Sequence, residues 1–146
     1  MRTFHFPLER VLRWRVIEFA VEESKLKRLG QEQIRLQMQA AALSADRARL
    51  AESITTLPDP RGRDLEVMVN YGAGLRRQAD KLAALKVRCE RDLAAQKKKY
   101  NEAKQRLRLL EELRERKLVD WRYQQALELE TIAAESYLSN WNREHS

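Results

Sequence analysis

LPDPRGRD, from Leu57 to Asp64, holds two of the chain's three prolines and one of its four glycines. Pro58 and Pro60 cannot donate a helical hydrogen bond, and each ring restricts the residue before it. Gly62 permits a backbone turn that other residues resist. Asp64 offers a short side-chain acceptor ahead of a patterned apolar run, as an N-cap does. The helix breakers thus concentrate in one place. The remaining proline, Pro7, stands near the start, where a first helical turn tolerates it. The stretch reads as a hinge, residues 58–64, between two long helices.

The segments on either side support that reading. Ahead of the hinge a heptad places position a at Leu8, Arg15, Glu22, Leu29, Leu36, Leu43, Leu50 and Leu57. Position d falls on Leu12, Phe19, Leu26, Gln33, Ala40, Arg47 and Ile54. Eleven of these fifteen positions are apolar, which is a coiled-coil seam rather than the broad stripe of a globular helix. A helix from about Pro7 to about Leu57 follows, with a length of about 75 Å.

Behind the hinge the same 3–4 spacing links Met68, Leu75, Ala79, Leu82, Lys86, Cys89, Leu93, Gln96, Tyr100, Ala103, Leu107 and Leu110, with Gly72 on the stripe. Beyond Leu110 successive steps of four, through Arg114 to Leu118 and from Trp121 through Gln125 to Leu129, replace the strict alternation on the way to Ile132, a stutter that unwinds a left-handed supercoil. The second helix is expected over about residues 65–140, about 115 Å long. Gly72 and Gly74 weaken it, and a kink or a short separate first turn is expected there.

The expected fold is all-α: an antiparallel two-helix coiled-coil hairpin spanning 1–146 as one domain. Residues whose numbers sum to about 122 then face each other, so Leu43 meets the region of Ala79 and Leu12 meets Leu110. The second helix overhangs by its last 25 or so residues, which include Trp121, Leu127, Leu129, Ile132, Tyr137, Leu138 and Trp141. Left uncovered, such residues form an apolar patch of the kind that marks a partner site.

Composition agrees with long helices. Charged residues make up 35% of the 146, aromatics 7%, and the mean hydropathy is −0.70. Ala, Leu, Arg, Glu, Lys and Gln dominate, all good helix formers. No run of 18 apolar residues occurs, and Glu9, Arg10, Arg13 and Arg15 interrupt any signal-peptide core. A cytoplasmic protein is expected, and the lone Cys89 suits a reducing compartment. The net charge of +7 is uneven: Lys81–Lys117 carries 13 basic against 6 acidic residues, whereas Leu118–Ser146 carries 2 against 5. The basic stretch suits nucleic acid, an anionic membrane surface, an acidic protein or simply a solvated helix face.

Nothing in the sequence points to catalysis. Gly72-Ala-Gly74 lacks the third glycine and the preceding strand of a phosphate loop. His5 and His145 lie at opposite ends, and no Cys/His cluster has zinc spacing. Cys89 falls on the seam, as a small buried thiol does. Carboxylates such as Glu111 and Glu112 have the setting of surface helix residues. The chain is expected not to be an enzyme and to take no cofactor or metal. The run QKKKY (Gln96–Tyr100) lacks the arrangement of an RNA-binding sheet, so no specific nucleic acid is expected.

Three stretches carry a resemblance: FPLERVLRWRVIEFAVEESKLKRL (Phe6–Leu29), DLEVMVNYGAGLRRQADKL (Asp64–Leu82) and KKKYNEAKQRLRLLEELRERK (Lys97–Lys117). Their order, with an aromatic-basic opening, an early hinge and a long last helix, resembles the flagellar FliJ family over nearly the whole chain. One departure is Ala134-Glu135, where members of that family commonly have an Asp-Glu pair. The resemblance implies an accessory protein of the flagellar type III protein export apparatus, cytoplasmic and peripheral at the cytoplasmic face of the inner membrane. Its implied partners are a hexameric export ATPase, entered by the paired helix ends, the cytoplasmic domain of the export-gate membrane protein, met by the hairpin flank, and export chaperones. The injectisome stalk proteins share this plan. A basic coiled coil that binds nucleic acid nonspecifically is the other alternative.

Two sets of residues become candidates. Arg10, Arg13 and Trp14, with Trp121 across from them, suit an ATPase interface, because Trp and Arg are enriched at binding hot spots; Trp14 capping the end of the seam is the plainer role. Gln39, Leu43, Tyr71, Leu75, Gln78 and Leu82 lie on the flank expected at the export gate. Leu43, Leu75 and Leu82 are also seam positions, where packing accounts for them, whereas Gln39 and Tyr71 lie off the seam. The chain is expected to be a monomer or to self-associate weakly.

Overall fold

The computed structural model describes residues 2–57 and 62–145, the side chain of Arg63 excepted. The described residues form two helices and no strand: α1, Glu9–Thr56, and α2, Gly62–His145. The fold is an all-α two-helix hairpin. Four residues of the expected hinge, Pro58 to Arg61, lie outside the described residues. The other three, Gly62 to Asp64, already belong to α2. Asp64 therefore sits inside the first turn rather than capping it, where a carboxylate meets the positive end of the helix dipole.

The ends of α1 and α2 have local causes. Pro7 and Leu8 form a turn, the Glu9 N–H donates to the Phe6 carbonyl at 3.1 Å, and α1 proper begins at Glu9. At its other end the Thr55 and Thr56 hydroxyls donate to the Glu52 carbonyl at 2.8 and 3.0 Å, a back-bonding that competes with helix propagation ahead of the prolines. α2 continues five residues past the expected Asn140. His145 stacks on Trp141 with ring centroids 4.3 Å apart, and Arg143 and His145 complement the negative end of the dipole. α2 runs as one helix through Gly72 and Gly74, neither of which has a positive φ, so there is no separate first turn.

The chain divides into two compact units, each drawing on both helices: Ala20–Asn101, and Met1–Phe19 with Glu102–Ser146. In the Ala20–Asn101 unit the core is Leu36, Cys89 and Leu93, with Leu26, Leu29 and Leu82 packed on it. Leu43 and Leu75 are buried further toward the turn. Leu43 and Ala79 line the same small cleft, as the antiparallel pairing predicts. At Gly72 the helices come so close that a Cβ would stand 3.1 Å from Leu50 Cδ2. Every expected seam residue from Glu22 to Ala40 and from Gly72 to Tyr100 is buried or half-buried. Even the polar seam pair is accommodated: the Gln96 amide donates to the Glu22 carbonyl at 3.1 Å and also to the Glu22 carboxylate.

In the other unit Ala103 is buried, and Leu107, Leu110, Arg114, Leu118, Trp121 and Gln125 continue the half-buried stripe. Two ion pairs tie α1 to α2 here, Arg106 to Glu18 at 3.2 Å and Arg114 to Glu9 at 3.3 Å. Past Gln125 every described residue is exposed. Leu129 and Ile132 lie on the continued stripe yet are 63% and 60% exposed, because α1 offers nothing opposite them.

Candidate partner-binding surfaces

The first surface is aromatic and basic. Phe4, just ahead of α1, meets Trp121 of α2 edge-on, with centroids 6.0 Å apart and planes at 61°. The Arg114 guanidinium lies 5.6 Å from the Phe4 centroid while its Nε reaches Glu9. Phe6, two residues on, is buried. These contacts clamp the segment before α1 onto α2 and leave Trp121 half-covered. Trp14 has a different setting: it is 56% exposed, with the Arg15 guanidinium 4.7 Å above its ring. Arg15 in turn donates to Glu18 at 2.8 Å. Hydrogen bonding from Arg15, with the charges of Arg15 and Arg106 beside it, holds the Glu18 carboxyl below its usual 4.5. Arg10 and Arg13 are exposed. Of the four expected residues, then, Arg10, Arg13 and Trp14 are exposed, and Trp121 is half-covered and in contact with Phe4.

Periodicity places Arg114 on the stripe but singles out neither Phe4 nor Phe6. Phe4 and Phe6 precede the first helical turn, so no heptad includes them. The signal that marks them is the aromatic pair flanking His5 immediately before Pro7.

The second surface is a groove between the helices in the Ala20–Asn101 unit. It has a volume of about 390 Å³ and is lined by Gln39, Ala42, Leu43, Asp46, Gln78, Lys81 and Leu82. Four of the six flank residues named from sequence, Gln39, Leu43, Gln78 and Leu82, thus line one groove. Leu75 is buried in the seam, and Tyr71, 54% exposed, is not part of the groove's lining. Leu43 is buried, so Gln39, Ala42, Asp46, Gln78, Lys81 and the half-buried Leu82 are what the groove presents.

Among the described residues no group of three or more His, Cys, Asp or Glu is placed to hold a metal ion, and no helix is long and apolar enough to cross a membrane. Cys89 is buried, with its thiol 3.7 Å from the Leu29 carbonyl. Burial pushes its pKa above the usual 9.0, and the nearby carboxylates of Glu32, Asp92 and Glu90 push the same way. A raised folded-state pKa stabilises the fold below the unfolded value and loses that contribution as pH rises through the folded one. At mildly alkaline pH the native thiol should therefore react with a disulfide reagent at least about tenfold more slowly than in denaturant. Equal rates in the two conditions would contradict its placement.

No protein-family model, curated protein or solved structure matches the chain.

Proposed function

We propose that this chain is an accessory coiled-coil protein of the flagellar type III protein export apparatus. In this reading it links the export ATPase to the export gate, hands on export chaperones and works at the cytoplasmic face of the inner membrane. Two things support the reading. One is the resemblance of Phe6–Leu29, Asp64–Leu82 and Lys97–Lys117 to the FliJ family. The other is the physical character of the chain: a helical hairpin with an exposed aromatic and basic face on α1 and exposed apolar residues toward the end of α2. The observation that carries the proposal is the joint exposure of Arg10, Arg13 and Trp14 in the first turns of α1, the helix that follows the Phe4–Trp121 contact. A flat aromatic with neighbouring guanidinium groups has the composition of a protein-binding hot spot.

The test is the joint replacement of Arg10, Arg13 and Trp14 by alanine. All three side chains are exposed, so helical circular dichroism should be unchanged. Affinity for a hexameric export ATPase should fall by at least about thirtyfold, the loss of one hot spot of roughly 2 kcal/mol. Wild-type affinity in the triple variant would reject the site. For the export gate, Gln39→Ala and Tyr71→Ala are the cleaner probes because neither side chain belongs to the seam.

The exposed lysines and arginines of Lys81–Lys117 favour the nucleic-acid alternative, which makes a different prediction. Binding through counterion release falls steeply with salt, whereas an aromatic protein interface is less sensitive. Glu90, Asp92, Glu102, Glu111, Glu112 and Glu115 are interspersed in that stretch and dilute its field. A pull-down with and without nuclease separates the two readings. Recovery of an export protein regardless of nuclease supports the proposal, and recovery of nucleic acid alone overturns it.

A further inference from the structure

The end of α2 carries an exposed stripe that differs from the seam. Tyr123, Leu127, Thr131, Ala134, Leu138 and Trp141 recur at steps of four and three and therefore share one face. All are exposed. Carboxylates border this face on both sides: Glu130 and Glu144 on one, Glu128 and Glu135 on the other. Arg122 and Arg143 fall on the opposite face of the helix. The stripe is thus apolar with an acidic rim, and an isolated helix of this length gains little stability from local bonds alone.

The complementary surface belongs to the same unit. Along the first turns of α1 the side facing away from α2 presents Arg10, Arg13, Trp14 and Ile17, with Trp14 56% and Ile17 62% exposed. The acidic residues of this segment, Glu9 and Glu18, are turned to α2 and occupied by Arg114 and Arg106. The outward face is therefore apolar and basic without acidic neighbours. One chain cannot join its own two surfaces, because α2 is an unbroken helix that carries the stripe onward past the Phe4–Trp121 contact.

We propose that the acidic-rimmed stripe Tyr123–Trp141 of one copy docks on the Arg10/Arg13/Trp14/Ile17 face of a second copy. Each copy has both surfaces, so two chains related by a two-fold axis satisfy each other and the assembly closes as a dimer. The α2 extension past Gln125 is about 30 Å long at 1.5 Å per residue, enough to cover the two outward turns of α1 that Arg10–Ile17 span. The charges choose the partner: the acidic rim would be repelled by another acidic stripe and attracted to the arginines of α1. This inference does not rest on the proposed function, although a dimer of this kind would cover the face assigned there to the ATPase.

Sedimentation velocity of the full chain over a wide concentration range tests it. A monomer–dimer equilibrium that weakens with salt is expected. Leu138→Glu with Trp141→Glu should weaken the dimer by at least about tenfold without changing helicity, since both side chains are exposed. Arg10→Glu with Arg13→Glu should weaken it comparably, and adding Glu130→Lys with Glu135→Lys to that variant should restore much of the loss. A chain that stays monomeric at every concentration overturns the proposal. So does a dimer that ignores these substitutions, and so does one that needs Leu138 and Trp141 but is indifferent to Arg10 and Arg13, which would mean that the two stripes meet each other instead.

Discussion

Leu36→Ala is expected to destabilise the chain by about 2–5 kcal/mol, the range for removing a buried leucine from a packed site. Leu36 is 2% exposed, the most completely buried large side chain, and lies in the cluster with Cys89 and Leu93. Its loss leaves a gap in that cluster, whose members belong to continuous helices and cannot collapse far into it. Ile34, two residues earlier, is the control. It is 57% exposed, and Ile34→Ala should change stability by no more than about 0.5 kcal/mol. Urea titration followed by helical circular dichroism reads both. If the two variants behave alike, the stability of the hairpin does not reside in this cluster.

The opposite sign is expected at two glycines. Gly30 and Gly74 are interior to α1 and α2, where glycine costs about 1 kcal/mol relative to alanine. Neither has a positive φ. A Cβ at Gly30 meets nothing within 4 Å, and one at Gly74 meets only Arg77 Nη2 at 3.9 Å. Gly30→Ala with Gly74→Ala should therefore stabilise the protein by about 2 kcal/mol, since two positions without a shared partner add. Gly72→Ala should gain less, because its Cβ stands 3.1 Å from Leu50 Cδ2 and the leucine must shift. A rise in melting temperature for Gly72→Ala as large as for Gly74→Ala would show that the helices are looser there than described.

The hairpin was legible in the sequence because its core is one-dimensional. A seam needs only the 3–4 spacing, so Leu36, Leu43, Leu75, Cys89, Leu93, Gln96 and Ala103 could be placed from spacing alone, and all are buried. The steps of four beyond Leu110 were readable too, down to Gln125. Periodicity misled where α2 has no neighbour: Leu129 and Ile132 keep the pattern but stay exposed, whereas Ile54 is 38% exposed although it shares a cleft with Val69 and Gly72 of α2. It was silent where contacts are not periodic. Phe4 and Phe6 lie outside any heptad, yet Phe4 folds back on Trp121 of α2 and Phe6 is buried. The helix ends were placed within a few residues, and Asp64 was misread because a carboxylate serves both as a cap and inside a first turn. Of the candidate surfaces, the exposure of Arg10, Arg13 and Trp14 follows from their positions off the seam. The groove around Gln39 and Gln78 depends on the spacing of the two helices, which no single-helix pattern contains.

The hydrogen-bonded pair Gln96 and Glu22 bears on which hairpin forms at all. A heptad seam is nearly self-similar, so sliding one helix by seven residues would still set leucine against leucine. In one slipped register Gln96 would meet Leu29 and Glu22 would meet Ala103; in the other Gln96 would meet Arg15 and Glu22 would meet Cys89. The first strands an amide and a carboxylate among apolar groups at roughly 1–3 kcal/mol for each group left without a partner. The second sets the amide against a guanidinium and the carboxylate against a neutral thiol, which is only a weak donor. Only the observed alignment lets the amide reach both the carbonyl and the carboxylate of Glu22. One polar layer thus acts as an index mark on an otherwise repetitive ruler.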